Sequence, residues 1–155
     1  MASTIRENGE INGEALERVT LEGLLGFQLR RAQIKLFQHF KASMAELAIT
    51  PGQAGVLILI ESNPGISQAA LARALLLERA TLGETINNLQ DKHWVERRKS
   101  PNDARSHALY LSAEGRKNMK KLHPDISRHE QNVSDNLSTK ECAELLRLLS
   151  KFNGN

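Results

Sequence analysis

The chain has 155 residues, of which 40% are hydrophobic and 25% charged, with a single cysteine. One domain of this size can bury a core unaided; the composition disfavours a disordered chain, the apolar runs are too short for a membrane-spanning helix, and a lone Cys142 excludes an intrachain disulfide framework or a cysteine-cluster metal site. A net charge of +3 permits a polyanionic partner without requiring one, so the placement of the charge has to decide.

The opening "MASTIRENGEINGEALERV" is polar and lacks the apolar stretch of a secretory leader, so residues 1–20 read as a flexible segment of a cytoplasmic protein. From Leu21 onward, Leu25, Leu29, Ala32, Leu36, Phe40, Met44 and Leu47 recur in steps of three and four, the stripe of one long helix over 21–48. Thr50 then suits an N-cap, Pro51 the first helical position, and Gln53 completes a capping box. This predicts a helix to about Ser62, closed by Asn63-Pro64-Gly65. Ser67 caps a third helix, in which Ile66 and Leu71 occupy the staple positions and Leu71, Ala74 and Leu75 face inward. A fourth, from Arg79 to Asp91, presents Leu82, Ile86 and Leu89 on one face and leaves Arg79, Thr81, Asn87 and Asn88 on others.

The next stretch, "RRKSPNDARSHALYLSAEG" from Arg97 to Gly115, has turn chemistry at Ser100-Pro101-Asn102-Asp103 between two strands. On the return strand Leu109 and Leu111 share one face while Ala108 and Tyr110 take the other. From Lys92 to His107 the cations Lys92, Arg97, Arg98, Lys99 and Arg105 meet only Glu96 and Asp103, so with both histidines neutral this segment alone matches the +3 of the whole chain. Ser112 caps a fifth helix, expected to break or kink near His123-Pro124. Ser138 and Glu141 repeat the capping box before a last helix whose stripe is Cys142, Leu145, Leu146, Leu149 and Phe152.

The fold class is therefore mainly α with a small β-ribbon. Two short helices joined by a tight turn and followed by a basic ribbon make a winged helix-turn-helix, with 49–113 as the DNA-binding region and 21–48 and 114–155 as a helical body. A helix fits the major groove of B-DNA, where Asn and Arg read base edges, and a charged ribbon reaches the adjacent minor groove or backbone. The apolar stripe of the last helix, which a single copy would struggle to cover, points to a two-fold dimer that needs this helix.

The stretches "LGFQLRRAQ" and "ITPGQAGVLILIESNPGISQAALARALLLERATLGETINNLQDKHWVERRKSPNDARSHALYLSAEG" resemble the MarR family of bacterial transcription regulators. The most specific part is Asp103-Ala104-Arg105, a strand ending in Leu111-Ser112, and then Gly115, similar to the family's wing signature. The resemblance implies a homodimer built by the first and last helices, with Cys142, Leu145, Leu146, Leu149 and Phe152 in its interface, that represses by binding half of a pseudo-palindrome with each subunit. Carried over by position, the wing-tip arginine is Arg105 and its aspartate partner Asp103. DNA contacts would come from Ser67, Gln68, Arg79, Thr81, Asn87, Asn88, Arg97, Arg98, Lys99 and Arg105.

The match at "LGFQLRRAQ" further resembles the branch that answers to hydroxycinnamoyl-CoA or other aromatic acids, which would place an effector against Phe27, Arg30, Arg31, Gln38 and His39. Two positions depart from the pattern: His93 stands where a glycine is usual, and Glu84 puts an anion in the middle of the reading helix.

Plainer roles compete. Arg97, Arg98 and Lys99 also suit an edge-protecting charge run; Trp94 suits hairpin packing; Cys142 suits a small buried hydrophobe more than a redox switch. The histidines at 39, 93, 107, 123 and 129 have no ligand spacing, so no metal or cofactor is expected, and no nucleophile, phosphate loop or carboxylate pair suggests an enzyme. A winged-helix protein-interaction module is the alternative to DNA binding.

Overall fold

The computed structural model describes residues 10–11, 14–15, 19–99 and 107–154. The chain divides into two units, Met1–Phe37 and Gln38–Asn155. In the first, β1 (Glu10–Ile11) and β2 (Glu14–Ala15) pair antiparallel, α1 covers Val19–Glu22, and α2 (Leu25–Ser43) begins. The single helix expected over 21–48 is thus two. Gly23, a poor helix former, sits at the break. There the Leu24 N–H donates to the Leu21 carbonyl at 3.0 Å and the Gln28 side chain donates to the Glu22 carbonyl at 2.7 Å, satisfying groups that a helix end would otherwise orphan.

In the second unit, α2 ends at Ser43 and turns lead to Ala48, which adopts the left-handed region at φ 48°. Its carbonyl accepts from the Lys92 ammonium. Of the expected stripe, Phe40, Met44 and Leu47 enter the core, whereas Leu25 and Leu36 stay exposed. Helix α3 (Pro51–Ser62) follows the predicted boundaries, and both halves of the Thr50–Gln53 capping box form.

Strand β3 (Ile66–Ser67) then pairs with the return strand of the ribbon, Ile66 opposite Leu109, a pairing too short to show as an alternation in sequence. Helix α4 (Gln68–Ala74) is capped by Ser67 and buries Leu71 and Ala72; Ala74, expected inside, is exposed. Only seven residues long, α4 turns a narrow stripe inward, and the adjacent 71 and 72 occupy it.

Helix α5 (Arg79–Asp91) buries Leu82, Ile86 and Leu89 completely. The ribbon is β4 (Val95–Lys99) and β5 (His107–Leu111), giving a three-stranded antiparallel sheet in the order β3-β5-β4. Helix α6 spans Ala113–Val133 without the break expected at Pro124. Pro124 and Lys120, whose carbonyl loses its helical donor, are both exposed, so water can take the bond and the helix continues. Helix α7 (Thr139–Phe152) carries the second capping box, and hydrogen bonds from the Ser138 hydroxyl and N–H hold the Glu141 carboxyl below its ordinary range. The core gathers α3, α4, α5 and the sheet around Leu57, Ile60, Leu71, Ile86 and Leu109, closed by Met119 and Leu122 of α6. No helix among the described residues is long and apolar enough to cross a membrane.

Candidate nucleic-acid interface

Helix α5 is held between two turns of the same kind. At the end of α4, the Leu77 N–H donates to the Ala72 carbonyl at 3.0 Å and the Leu76 N–H to the Arg73 carbonyl at 3.3 Å, with Leu76 left-handed at φ 52°. At the end of α5, the Trp94 N–H donates to Leu89 at 2.9 Å and the His93 N–H to Gln90 at 2.8 Å, with His93 at φ 59°. Both are Schellman closures, which favour glycine at the left-handed position. The departure noted at His93 is therefore a histidine holding a glycine's backbone conformation, so the geometry of the wing's entry survives the substitution.

The wing's exit is fastened to the same place. The Ser112 hydroxyl donates to the His93 carbonyl, the Ser112 N–H donates to the Trp94 carbonyl at 3.0 Å, and the Gly115 N–H donates to the Ser112 hydroxyl at 2.9 Å. A Cβ on Gly115 would lie 2.0 Å from the Trp94 carbonyl oxygen, which explains a glycine at this point of the wing signature. Trp94 is buried in this junction, the packing role read for it.

With Leu82, Ile86 and Leu89 turned inward, the outward face of α5 presents Thr81, Glu84, Asn87 and Asn88, all exposed, and Arg79 at its start. Glu84 lies opposite the buried stripe, at the middle of that face. Gln68 packs across α4 toward the helix, its amide nitrogen 3.4 Å from where a Cβ on Gly83 would stand. The Ser67 hydroxyl is taken up as the α4 cap, accepting from the Ala70 N–H at 3.2 Å.

The wing cations part company by strand alternation. Arg97 donates to the Asn87 side-chain carbonyl at 3.0 Å, tying the wing to α5 on one face of the sheet. Arg98 takes the opposite face, ion-paired with Glu96 at 2.9 Å and stacked 4.6 Å from the Tyr110 ring centroid. Behind the sheet it borders a cleft with Glu61, Tyr110 and Arg116, but Arg116 is itself engaged, donating to the Leu111 carbonyl at 2.8 Å. Lys99 is exposed at the last described position before the turn. Asp103 and Arg105 lie outside the described residues.

This arrangement, a polar helix face flanked by a basic wing strand, agrees with the comparisons to known proteins. The MarR family model matches residues 49–106. A transcriptional regulatory protein for the hcr operon of Thauera aromatica is 35% identical over 134 residues, covering 86% of this chain and 81% of that protein. The chain belongs to the MarR family. MarR-family proteins are transcription regulators and not enzymes. In structure this member is similar to the transcriptional repressor CouR bound to a 23-mer DNA duplex, with TM-score 0.86, 31% identity and coverage of 90% of this chain and 99% of that one. It is also similar to CouR bound to p-coumaroyl-CoA, with TM-score 0.83, 29% identity and coverage of 89% and 97%.

The five residues read as an effector wall of this MarR-family chain all lie on α2. Helical spacing puts Phe27, Arg31 and Gln38 on one face and turns Arg30 aside. Arg31 sits 5.8 Å from the Phe27 ring centroid and 3.8 Å from the Glu22 carboxylate. His39 is turned elsewhere: its Nδ1 meets Nδ1 of His129 on α6 at 2.7 Å, a partner 90 positions away that no spacing rule could have named.

On α7 no side chain is buried. Leu145, Leu146 and Phe152 are exposed, the last two at 68% and 62%, as is Leu148, which the stripe had not included; Cys142 and Leu149 are half-buried. Among the described residues no group of three or more His, Cys, Asp or Glu is placed to hold a metal ion.

Proposed function

We propose that this regulator is a homodimeric repressor that binds a pseudo-palindromic operator and is released by a small aromatic acid or its CoA thioester. The observation that carries the proposal is the pair of surfaces one chain leaves open: the Thr81–Asn88 face of α5 beside the wing, suited to a groove, and the bare apolar face of α7, suited to a second copy. Covering one exposed Leu or Phe side chain contributes roughly 1.5–3 kcal/mol, so a few of them from each subunit suffice for a stable pair. Two-fold pairing then sets two reading heads at half-site spacing.

The effector class is supported by the likeness to CouR, which has been solved with p-coumaroyl-CoA, and by the Phe27–Arg31 pairing on α2. A flat ring packs on Phe27 and a carboxylate or phosphate meets the guanidinium fork of Arg31. Release requires tighter binding to the DNA-incompetent spacing of the heads than to the competent one. The experiment is a DNA-release titration with free hydroxycinnamates, their CoA thioesters and unrelated acyl-CoAs on wild type, Arg30→Ala and Arg31→Ala. The aromatic ligands should release wild type and lose potency on Arg31→Ala. Release by none, or equal release by all with both variants unaffected, removes the effector assignment. Light scattering on protein ending at Asn136 checks the assembly, since a persistent dimer without α7 would contradict it.

A further inference from the structure

A direct link between α2 and α6 is a contact between two imidazoles, and its chemistry depends on protons. His39 Nδ1 and His129 Nδ1 are 2.7 Å apart. His129 is 5% exposed, and its ring is met edge-on by Phe40 at 5.3 Å and 84°. The Ser43 hydroxyl, one turn beyond His39, lies 3.2 Å from the same His39 nitrogen. The charged groups around the buried ring are His39 from α2 and Glu130, its neighbour on α6.

Two neutral imidazoles satisfy this contact when one Nδ1 carries a hydrogen and the other offers its lone pair. A third proton, making one ring cationic, also fits, because the cation still donates to a neutral acceptor. A fourth places two N–H groups face to face and two positive charges side by side. We propose that His39 and His129 form a proton-operated latch between the C-terminal turn of α2 and α6, closed while at least one Nδ1 lone pair remains and opened by acid when both rings are cationic.

Burial first, and the facing His39 second, hold the His129 imidazole below the ordinary histidine range, with Glu130 pulling weakly the other way. The sign follows. A histidine depressed in the folded state is more readily protonated in the unfolded chain, so stability is complete above about pH 6.5 and is lost as pH falls below it toward the folded value. His123, the other histidine on α6, pairs with Glu61 of α3 at 2.7 Å, and the comparison below leaves that pair intact. The latch itself stands on the contact alone; its effect on DNA binding rests on the repressor reading above.

The test compares full-length wild type with His129→Gln, which keeps a polar side chain but cannot become cationic, at about pH 7.5 and about pH 5.5, either side of the ordinary histidine value. Wild type should lose more of its melting temperature on acidification than the variant. Ring-nitrogen NMR on wild type should show His39 and His129 titrating as a coupled pair in two separated steps. Equal melting-temperature losses in the two proteins overturn the latch. Should His129→Gln fail to fold, the wild-type titration decides: two independent rings at the ordinary histidine value overturn it equally. Affinity for a duplex selected from a random library at about pH 7.5 reads the regulatory consequence and should fall further in wild type than in the variant on acidification. Parallel losses refute regulation through the latch. A protein that binds no duplex at either pH refutes the repressor reading, while melting and ring titration still judge the latch.

Discussion

Replacing Gly115 by alanine reverses a usual rule. In an ordinary helix, Gly→Ala stabilises by about 0.5–1 kcal/mol. Here the new Cβ would lie 2.0 Å from the Trp94 carbonyl oxygen, and the obstacle is backbone, which no rotamer change can move aside. Relief needs about 1 Å or more of separation between the start of α6 and the end of α5. That motion strains the two hydrogen bonds that fasten Ser112 to the His93 and Trp94 carbonyls. At about 1 kcal/mol each they amount to about 2 kcal/mol, and displacing buried Trp94 adds about 1–3 more.

After the alanine gain is subtracted, a net loss of about 2–4.5 kcal/mol remains, which for a chain of this size lowers the melting temperature by roughly 4–18 °C. Gly52→Ala is the control, because its Cβ would meet only the Thr50 hydroxyl at 3.9 Å, an ordinary contact, and its expected change lies between zero and a slight gain. Calorimetry on both variants reads the difference. A Gly115→Ala protein that melts at or above wild type would show that the wing junction yields, and the close-approach argument would fail.

Two further substitutions test the frame and face of α5. His93→Gly and Leu76→Gly each relieve a left-handed non-glycine residue and should raise stability by about 0.5–1 kcal/mol, the strain removed less the extra entropy of glycine in the unfolded chain; chemical denaturation that places either below wild type would mean the side chain contributes more than its backbone costs. Glu84→Gln removes the anion at the centre of the exposed face and should tighten binding to random-sequence duplex by about 2–5-fold at low salt. Unchanged binding in a fluorescence titration would place Glu84 outside the interface, and weaker binding to every sequence would give it a structural role.

What the sequence disclosed and what it withheld divide along a physical line. Caps were legible because each is a local exchange between a side chain and backbone three residues away: Thr50 with Gln53, Ser67 with Ala70, Ser138 with Glu141 all form as written. The bounds of α3 followed from its cap and its Asn63-Pro64-Gly65 stop, and the span of α5 and the faces of β5 from period. The α1–α2 break went unread because the stripe continues through it in perfect register, and periodicity measures faces, not hydrogen bonds. The unbroken α6 went unread for the converse reason: Pro124 signals a lost bond, but whether water can replace it depends on which way the helix is turned.

The site divides in the same way. Residue types placed Asn87, Asn88 and the wing cations together, yet only alternation in the folded ribbon separates Arg97, bound to Asn87, from Arg98, stacked on Tyr110 behind the sheet. Two neighbours in a charge run thus receive different tasks. Arg97 stands on the side where α5 meets the wing, so DNA entering there would compete with Asn87 for its guanidinium. Arg98 neutralises Glu96 and covers an aromatic face, and such an exposed pair adds little to stability. A run of cations in sequence is therefore evidence for a basic ribbon, while the assignment of each member to DNA has to come from the face it occupies.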